Sequence, residues 1–467
     1  MRFLRRHTID TRPLRHTAYR RLFIGNAVSN FGYQFTAVAV PVQMYALTRS
    51  SLWVGLLGVA GLVPLVFFGV WGGAVSDAVD RRKLLLASSL LMWSTTLGLL
   101  VHALLRIGSP VVLLVLVALQ ATAFAISAPT RQSIIPRLIP AGELPAANTI
   151  NTTTFNAAMV AGPLCAGLLM VQTGVAAAYL VDAVAFTVAL WATLALPAMP
   201  PAATPVKLAA GPAVAADAAD FDAADSDGAD SDGADSDGAA GAVVGAPSGG
   251  SAGSARGGRR IAGWREVREG LTYIATSPVL LLSFAIDIAA MVLAMPRSLF
   301  PEVAQQRFGE GAIGWLYAAI AIGSVLAGVT SGWIGRVRRQ GVALAAAVVG
   351  WGVAVGLAGL AGSLWLAVVL LALAGAADLV SAVYRQTILQ TYAPDGFQGR
   401  MQGIFIAVVA GGPRLGDLRA GATAAFTGST VSWVGGGFAA AVVAVVLAVA
   451  FPALLRYTPR TEPARVA

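Results

Sequence analysis

The run FAAAVVAVVLAVAFPALL, Phe438–Leu455, contains no side chain that can form a hydrogen bond. About 20 such residues cross the hydrocarbon core of a bilayer as a helix. Comparable runs recur along the chain between short polar breaks, and they place twelve spans at 20–47, 52–76, 84–105, 109–132, 146–173, 176–197, 279–300, 312–335, 341–361, 364–390, 401–427 and 433–455. Backbone polar groups inside lipid must be satisfied within the element, so segments of this length are expected to be helical. Composition requires the same solvent. Of 467 residues, 57% are hydrophobic and 12% charged, against about 45–50% and about 25% in soluble domains.

One tract breaks the pattern. Residues 198–260 include Ala-Asp-Ser-Asp-Gly three times in phase, Ala224–Gly238. Such a sequence buries too little apolar surface to fold and reads as a solvated linker. Its acids lack the bidentate Glu and fixed loop of an EF-hand, so no metal site is expected there. The chain thus divides into a six-span half at 1–197, the linker at 198–260 and a second six-span half at 261–467.

Basic residues set the expected orientation. The loops after spans 2, 4, 8 and 10 carry Arg81, Arg82, Lys83, Arg137, Arg336, Arg338, Arg339 and Arg400, and the termini and linker carry many more. The opposite side shows few, among them Arg49, Arg106 and Arg307. By the positive-inside rule both termini and the linker are cytoplasmic in a multi-pass plasma (inner) membrane protein. The net charge of +9 then follows from topology and calls for no nucleic-acid partner. The first apolar segment is long and keeps polar residues, unlike a cleavable signal peptide.

Several chemistries are set aside by what is missing. Cys165 is the one cysteine, and His7, His16 and His102 are scattered, so neither disulfides nor a metal centre is expected. The two lysines, Lys83 and Lys207, do not close a phosphate-cradling loop. The chain is therefore not expected to be an enzyme or an ATP-driven pump, and no cofactor is implied beyond a proton gradient.

An internal repeat underlies the two halves. TRQSIIP (Thr130–Pro136) matches YRQTILQ (Tyr384–Gln390), and the same offset carries Pro140 onto Pro394, Gly162 onto Gly416 and Gly167 onto Gly421. An offset one residue larger aligns Gly73 with Gly328 and Arg81 with Arg336. Parallel repeats of this kind build transporters whose binding site lies between the halves.

The segment GGAVSDAVDRRK (Gly72–Lys83) resembles the loop 2–3 signature of the major facilitator superfamily. Gly73, Asp77, Arg81, Arg82 and Lys83 fall on its positions, while Ala78 and Asp80 replace an Arg and a Gly. AGPLCAG, with Gly162, Pro163 and Gly167, is similar to a shortened antiporter signature of helix 5. PTRQSIIPRLIP and GGPRLGD resemble the superfamily branch that contains siderophore exporters. The resemblance implies the twelve-helix major facilitator fold, alternating access and a latch from Asp77 to the start of span 11 near Gly399 and Arg400. Bottom-up, the same basic loop also serves topology alone, and the glycines of span 5 also serve helix packing.

Polar residues inside the spans are the remaining candidates. Asn26, Asn30 and Gln34 share one face of span 1, and Asn148, Asn151, Thr152 and Asn156 line span 5. Each stripe suits a substrate cavity or polar contact between helices. Asp287, Asp378 and Asp417 are candidates for proton coupling. Arg131 and Arg385 either snorkel or gate, and Asp182 is expected to be hydrated near the surface. Span 11 puts Arg414 about 21 Å, Asp417 about 26 Å and Arg419 about 29 Å from Arg400 along the helix, so Arg414 and Asp417 are expected to pair while Arg419 reaches the interface. Arg414 is a candidate to hold an anionic substrate. The sequence therefore reads as a monomeric, all-α secondary transporter in the lipid bilayer, a proton-coupled exporter of a small amphiphilic molecule, and the resemblance implies a siderophore or drug-like compound as that molecule. A facilitator or importer of the same fold, and a non-transporting membrane sensor or scaffold, are the alternatives.

Overall fold

The computed structural model describes residues 11–78, 81–195, 272–392 and 398–457. The linker expected at 198–260 lies outside them. Among the described residues there are helices and no strands. The long helices are α1 (Thr17–Thr48), α2 (Ser51–Ala78), α3 (Arg81–Leu104), α4 (Pro110–Leu138), α5 (Leu144–Thr173), α6 (Val175–Leu194), α7 (Pro278–Ala294), α8 (Ala312–Val329), α9 (Gln340–Leu360), α10 (Leu364–Tyr392), α11 (Gln398–Thr427) and α12 (Ser429–Ala450).

Among the described residues ten segments are long and apolar enough to cross a membrane. Neither α1 nor α11 is among them, and these are the helices bearing the Asn26 stripe and the Arg414–Arg419 charges. Outward-facing apolar side chains, such as Phe426 at 90% and Val329 at 82% exposure, give the bundle the surface a bilayer covers.

The helix ends follow from local chemistry. Pro296 disfavours helical backbone at the preceding residue, and Met295 is extended, so α7 stops at Ala294. A 3-10 turn, Arg297–Leu299, then leads into Phe300–Val303. The sequence had run span 7 straight through to residue 300. Span 8 likewise ends earlier as an α-helix, passing into a 3-10 segment at Ser331–Arg336. Gly174 (φ 80°) links α5 to α6, and Gly428 (φ 85°) links α11 to α12. Such one-residue turns in positive φ suit glycine, and the two share the spacing that carries Arg131 onto Arg385.

The packing of the first six helices recurs in the last six. Contacts of α1 with α6, α2 with α4, α3 with α4 and α3 with α6 correspond to α7 with α12, α8 with α10, α9 with α10 and α9 with α12. The largest contacts that join these sets are α2 with α11 and α5 with α8. They meet near the end of the bundle that carries the Arg49–Ser50 turn. There Arg49 Nη1 donates to Gln305 Oε1 at 2.7 Å, and the Ser51 hydroxyl donates to Glu302.

Candidate functional site

Helix α11 brings Arg414, Asp417 and Arg419 to the junction of α2 and α7. Three glycines of α2, spaced by one helical turn, admit it. A side chain at Gly55 would strike the Asp417 carbonyl at 2.6 Å and one at Gly58 the Arg414 carbonyl at 2.7 Å, while Gly61 faces the Arg414 guanidinium. Arg414 Nη1 donates to the Gly61 carbonyl at 3.1 Å, across the junction. The stripe VGLLGVAG was readable as close-packing glycines, and sequence reasoning passed over it.

The expected pair of Arg414 with Asp417 is not made. Asp417 Oδ1 instead accepts from the Ser298 backbone N–H at 3.1 Å, and the Ser298 hydroxyl donates to the Asp417 carbonyl at 2.8 Å. The break at Pro296 frees that N–H, because the first amides of a helical turn have no partner within it. Arg419 does not reach toward an interface either. Its guanidinium donates to the carbonyls of Val292 (3.2 Å) and Leu293 at the end of α7 and of Ser432 (3.2 Å) in α12. A cation there meets the negative end of the α7 dipole and its unpaired carbonyls. Gly436 has no side chain to obstruct it. Arg297, which sequence reasoning missed, lies within electrostatic reach of both Asp417 and Asp378.

The chain is similar to known membrane transporters. A major facilitator family model described as a transmembrane secretion effector matches residues 9–216. The enterobactin exporter EntS of Escherichia coli O139:H28 is 26% identical over 457 residues, 97% of this chain and 95% of the exporter. EntS of Shigella boydii serotype 4 matches to the same extent. Among solved structures, the nucleoside transporter NupG superposes with a TM-score of 0.65 at 14% identity, covering 95% of this chain and 100% of that one. A bacterial homolog of the lysosomal transporter Spinster, in an inward-facing and unoccupied conformation, gives 0.63 at 16% identity, covering 97% and 100%. The chain is a membrane transporter that resembles the major facilitator superfamily. It is not an enzyme.

The other residues singled out in this transporter separate into groups. Asp287 of α7 and Arg385 of α10 form an ion pair with both side chains buried, and the guanidinium also lies 5.7 Å from the Phe405 ring centroid. In the first six helices Arg131 of α4 donates to Asn26 Oδ1 of α1 at 2.6 Å, the same helix pairing with an amide where the second set has an acid. Neither arginine snorkels. Gln34 packs into the notch left by Gly162 and donates to Met159 Sδ at 3.2 Å, so it joins α1 to α5. Asn151 donates to the Tyr19 hydroxyl at 3.3 Å. Asn148 is exposed, and Asn30, Thr152 and Asn156 are half-buried.

Gly167 meets Gly314 of α8 backbone to backbone, and a side chain on Gly314 would meet the Pro163 carbonyl at 2.6 Å. Gly73 and Asp77 fall on α2 and Arg81 opens α3. Their side chains, and those of Gly399 and Arg400, lie outside the described residues. Arg82 Nη2 donates to the Leu194 carbonyl at 2.6 Å, at the end of α6, and Lys83 is exposed. Asp182 corrects its expectation outright, with 0% exposure. Its hydration was inferred from position along α6, whereas the face on which it stands points into the core.

Proposed function

We propose that this transporter is a proton-coupled exporter of a small amphiphilic molecule, with a siderophore as the cargo class. In this reading twelve membrane-crossing helices form two related halves, 1–197 and 261–467, joined by a cytoplasmic tether. The protein works as a monomer in the plasma (inner) membrane with both termini cytoplasmic. The end bearing Arg49 is the outer one and is closed in this conformation.

The observation that carries the proposal is the charged face of α11 at the junction of the two helix sets. A scaffold gains little from placing Arg414 and Asp417 there, since intramembrane charges are costly and mark substrate or ion paths. Each candidate coupling acid also stands in the field of an arginine: Arg297 for Asp417 and Asp378, and Arg385 for Asp287. An acid so placed can exchange an arginine for a proton as the cavity changes sides. Arg414, whose one hydrogen bond among the described residues is to a backbone carbonyl, is then free to meet an anionic group of the cargo. Similarity to the enterobactin exporters supports both the direction and the class.

Proteoliposomes with an imposed pH gradient test the reading, with enterobactin as cargo. Asp417→Asn is expected to stay folded, to lose gradient-driven efflux and to keep counterflow exchange. A full response of this variant to the gradient removes Asp417 from coupling. No gradient response in the wild type removes proton coupling itself.

A further inference from the structure

Asp182 is the buried acid that the charged α11 does not explain. It sits on α6 with 0% exposure. The Thr36 hydroxyl of α1 donates to its Oδ2 at 2.6 Å, and the Thr96 hydroxyl of α3 approaches the same oxygen at 3.3 Å. Gln120 of α4 donates in turn to Thr96 Oγ1 at 3.4 Å. Its Oδ1 has no hydrogen-bond partner, and a side chain on Gly32 of α1 would come within 3.1 Å of it. Among the described residues no Arg, Lys or His forms an ion pair with it.

The ionisable groups on the helices packed against Asp182 are few. On α6 itself Tyr179 donates to Gln43 Oε1 at 2.7 Å, and Gln43 donates to His102 Nδ1 of α3 at 3.1 Å. His102 is buried and its other ring nitrogen meets the Ser109 carbonyl at 3.1 Å. The basic residues Arg81, Arg82 and Lys83 stand at the opposite end of α3, and Tyr19, Arg20, Arg21 and Tyr45 near the ends of α1. From mid-α1, Tyr33 lies in the field of both Asp182 and Arg414. Helix α5 contributes only Cys165, which is exposed. A charged carboxylate so enclosed, with two hydroxyls and no cation, carries an uncompensated desolvation cost. A proton on the carboxyl removes that cost.

We infer that Asp182 is a proton-binding site of the first six helices: it holds a proton in this conformation and releases it to water when α1 shifts and Oδ1 is wetted. The step breaks one O–H bond and leaves a carboxylate bound by Thr36 and Thr96. Helix α1 is the connecting element, since Gly32 and Thr36 face Asp182 while Tyr33 lies in the field of Arg414 of α11 as well. The inference deepens the proton-driven reading and rests on it.

Infrared difference spectroscopy of the full chain in liposomes, titrated from acid to alkaline pH, tests it without a cargo. The wild type should show a protonated-carboxyl C=O band that fades as pH rises and is absent from Asp182→Asn. Thr36→Val, which keeps the acid, should move that band to higher frequency because the carbonyl loses a donor. A band unchanged in Asp182→Asn, or an Asp182 band that never fades while the protein stays folded, overturns the inference. Should Asp182→Asn not fold, an unshifted band in Thr36→Val overturns it as well. Efflux of enterobactin separates the two claims. Full gradient response in Asp182→Asn sinks this site alone, whereas a wild type that moves no protons with cargo sinks the proton-driven reading while the titrating band stands.

Discussion

At the scale of single residues, buried charges here act through specific partners. Asp287 and Arg385 illustrate the energetics, because both side chains are enclosed and removing one strands the other. Arg385→Leu is expected to lower stability by about 3–5 kcal/mol, whereas Arg385→Leu with Asp287→Leu should recover most of that loss, since a buried pair replaced by apolar groups is often neutral. Thermal unfolding of the detergent-solubilised variants reads both. Equal losses in the single and double variants would mean that the pair holds α7 to α10 by more than charge compensation. The pairing itself was beyond sequence reasoning. Asp287 and Arg385 are distant in the chain, and only packing of α10 against α7 brings them together. Asp378, the acid nearest Arg385 in sequence on the same helix, answers to Arg297 instead.

At the scale of elements, contact between the helix sets depends on what is missing from the side chains. The facing glycines let α2 approach α11, and Gly167 with Gly314 lets α5 approach α8, close enough for backbone contact. Gly58→Leu and Gly314→Leu should each wedge one crossing apart and cut transport at least tenfold, with normal membrane insertion. Gly362→Leu, whose position has open space, should behave as wild type. Transport assayed at matched expression checks all three. Ten of the described helices were legible as apolar runs, and the matched Arg-Gln pairs fall on α4 and α10. The interruption after α7 was announced by Pro296 but hidden by apolar neighbours. Asp182 was misread because depth along a helix can be counted from sequence, whereas the direction its side chain faces cannot.

At the scale of the whole molecule, the question is whether the two helix sets move against each other. The contacts at the Arg49 end include the hydrogen bond from Ser51 to Glu302, on opposite sets, beside the close approach of Gly421 to the Ser51 carbonyl. In the proposed alternating access this end opens once per cycle, so a covalent bridge across it is expected to arrest transport. Cys165 is exposed and must first be replaced, giving Cys165→Ser as background. Ser51→Cys with Glu302→Cys, joined by a short thiol cross-linker, is expected to bind cargo with little change and to abolish efflux. A cleavable linker should restore efflux on reduction, and each single-cysteine variant should be indifferent to the reagent. Efflux that continues through a fully cross-linked population would mean that cargo leaves without this end opening. The hydrogen bonds at Arg49 and Ser51 would then belong to a fixed wall, and the moving contact would have to be sought where α2 and α5 reach the opposite end.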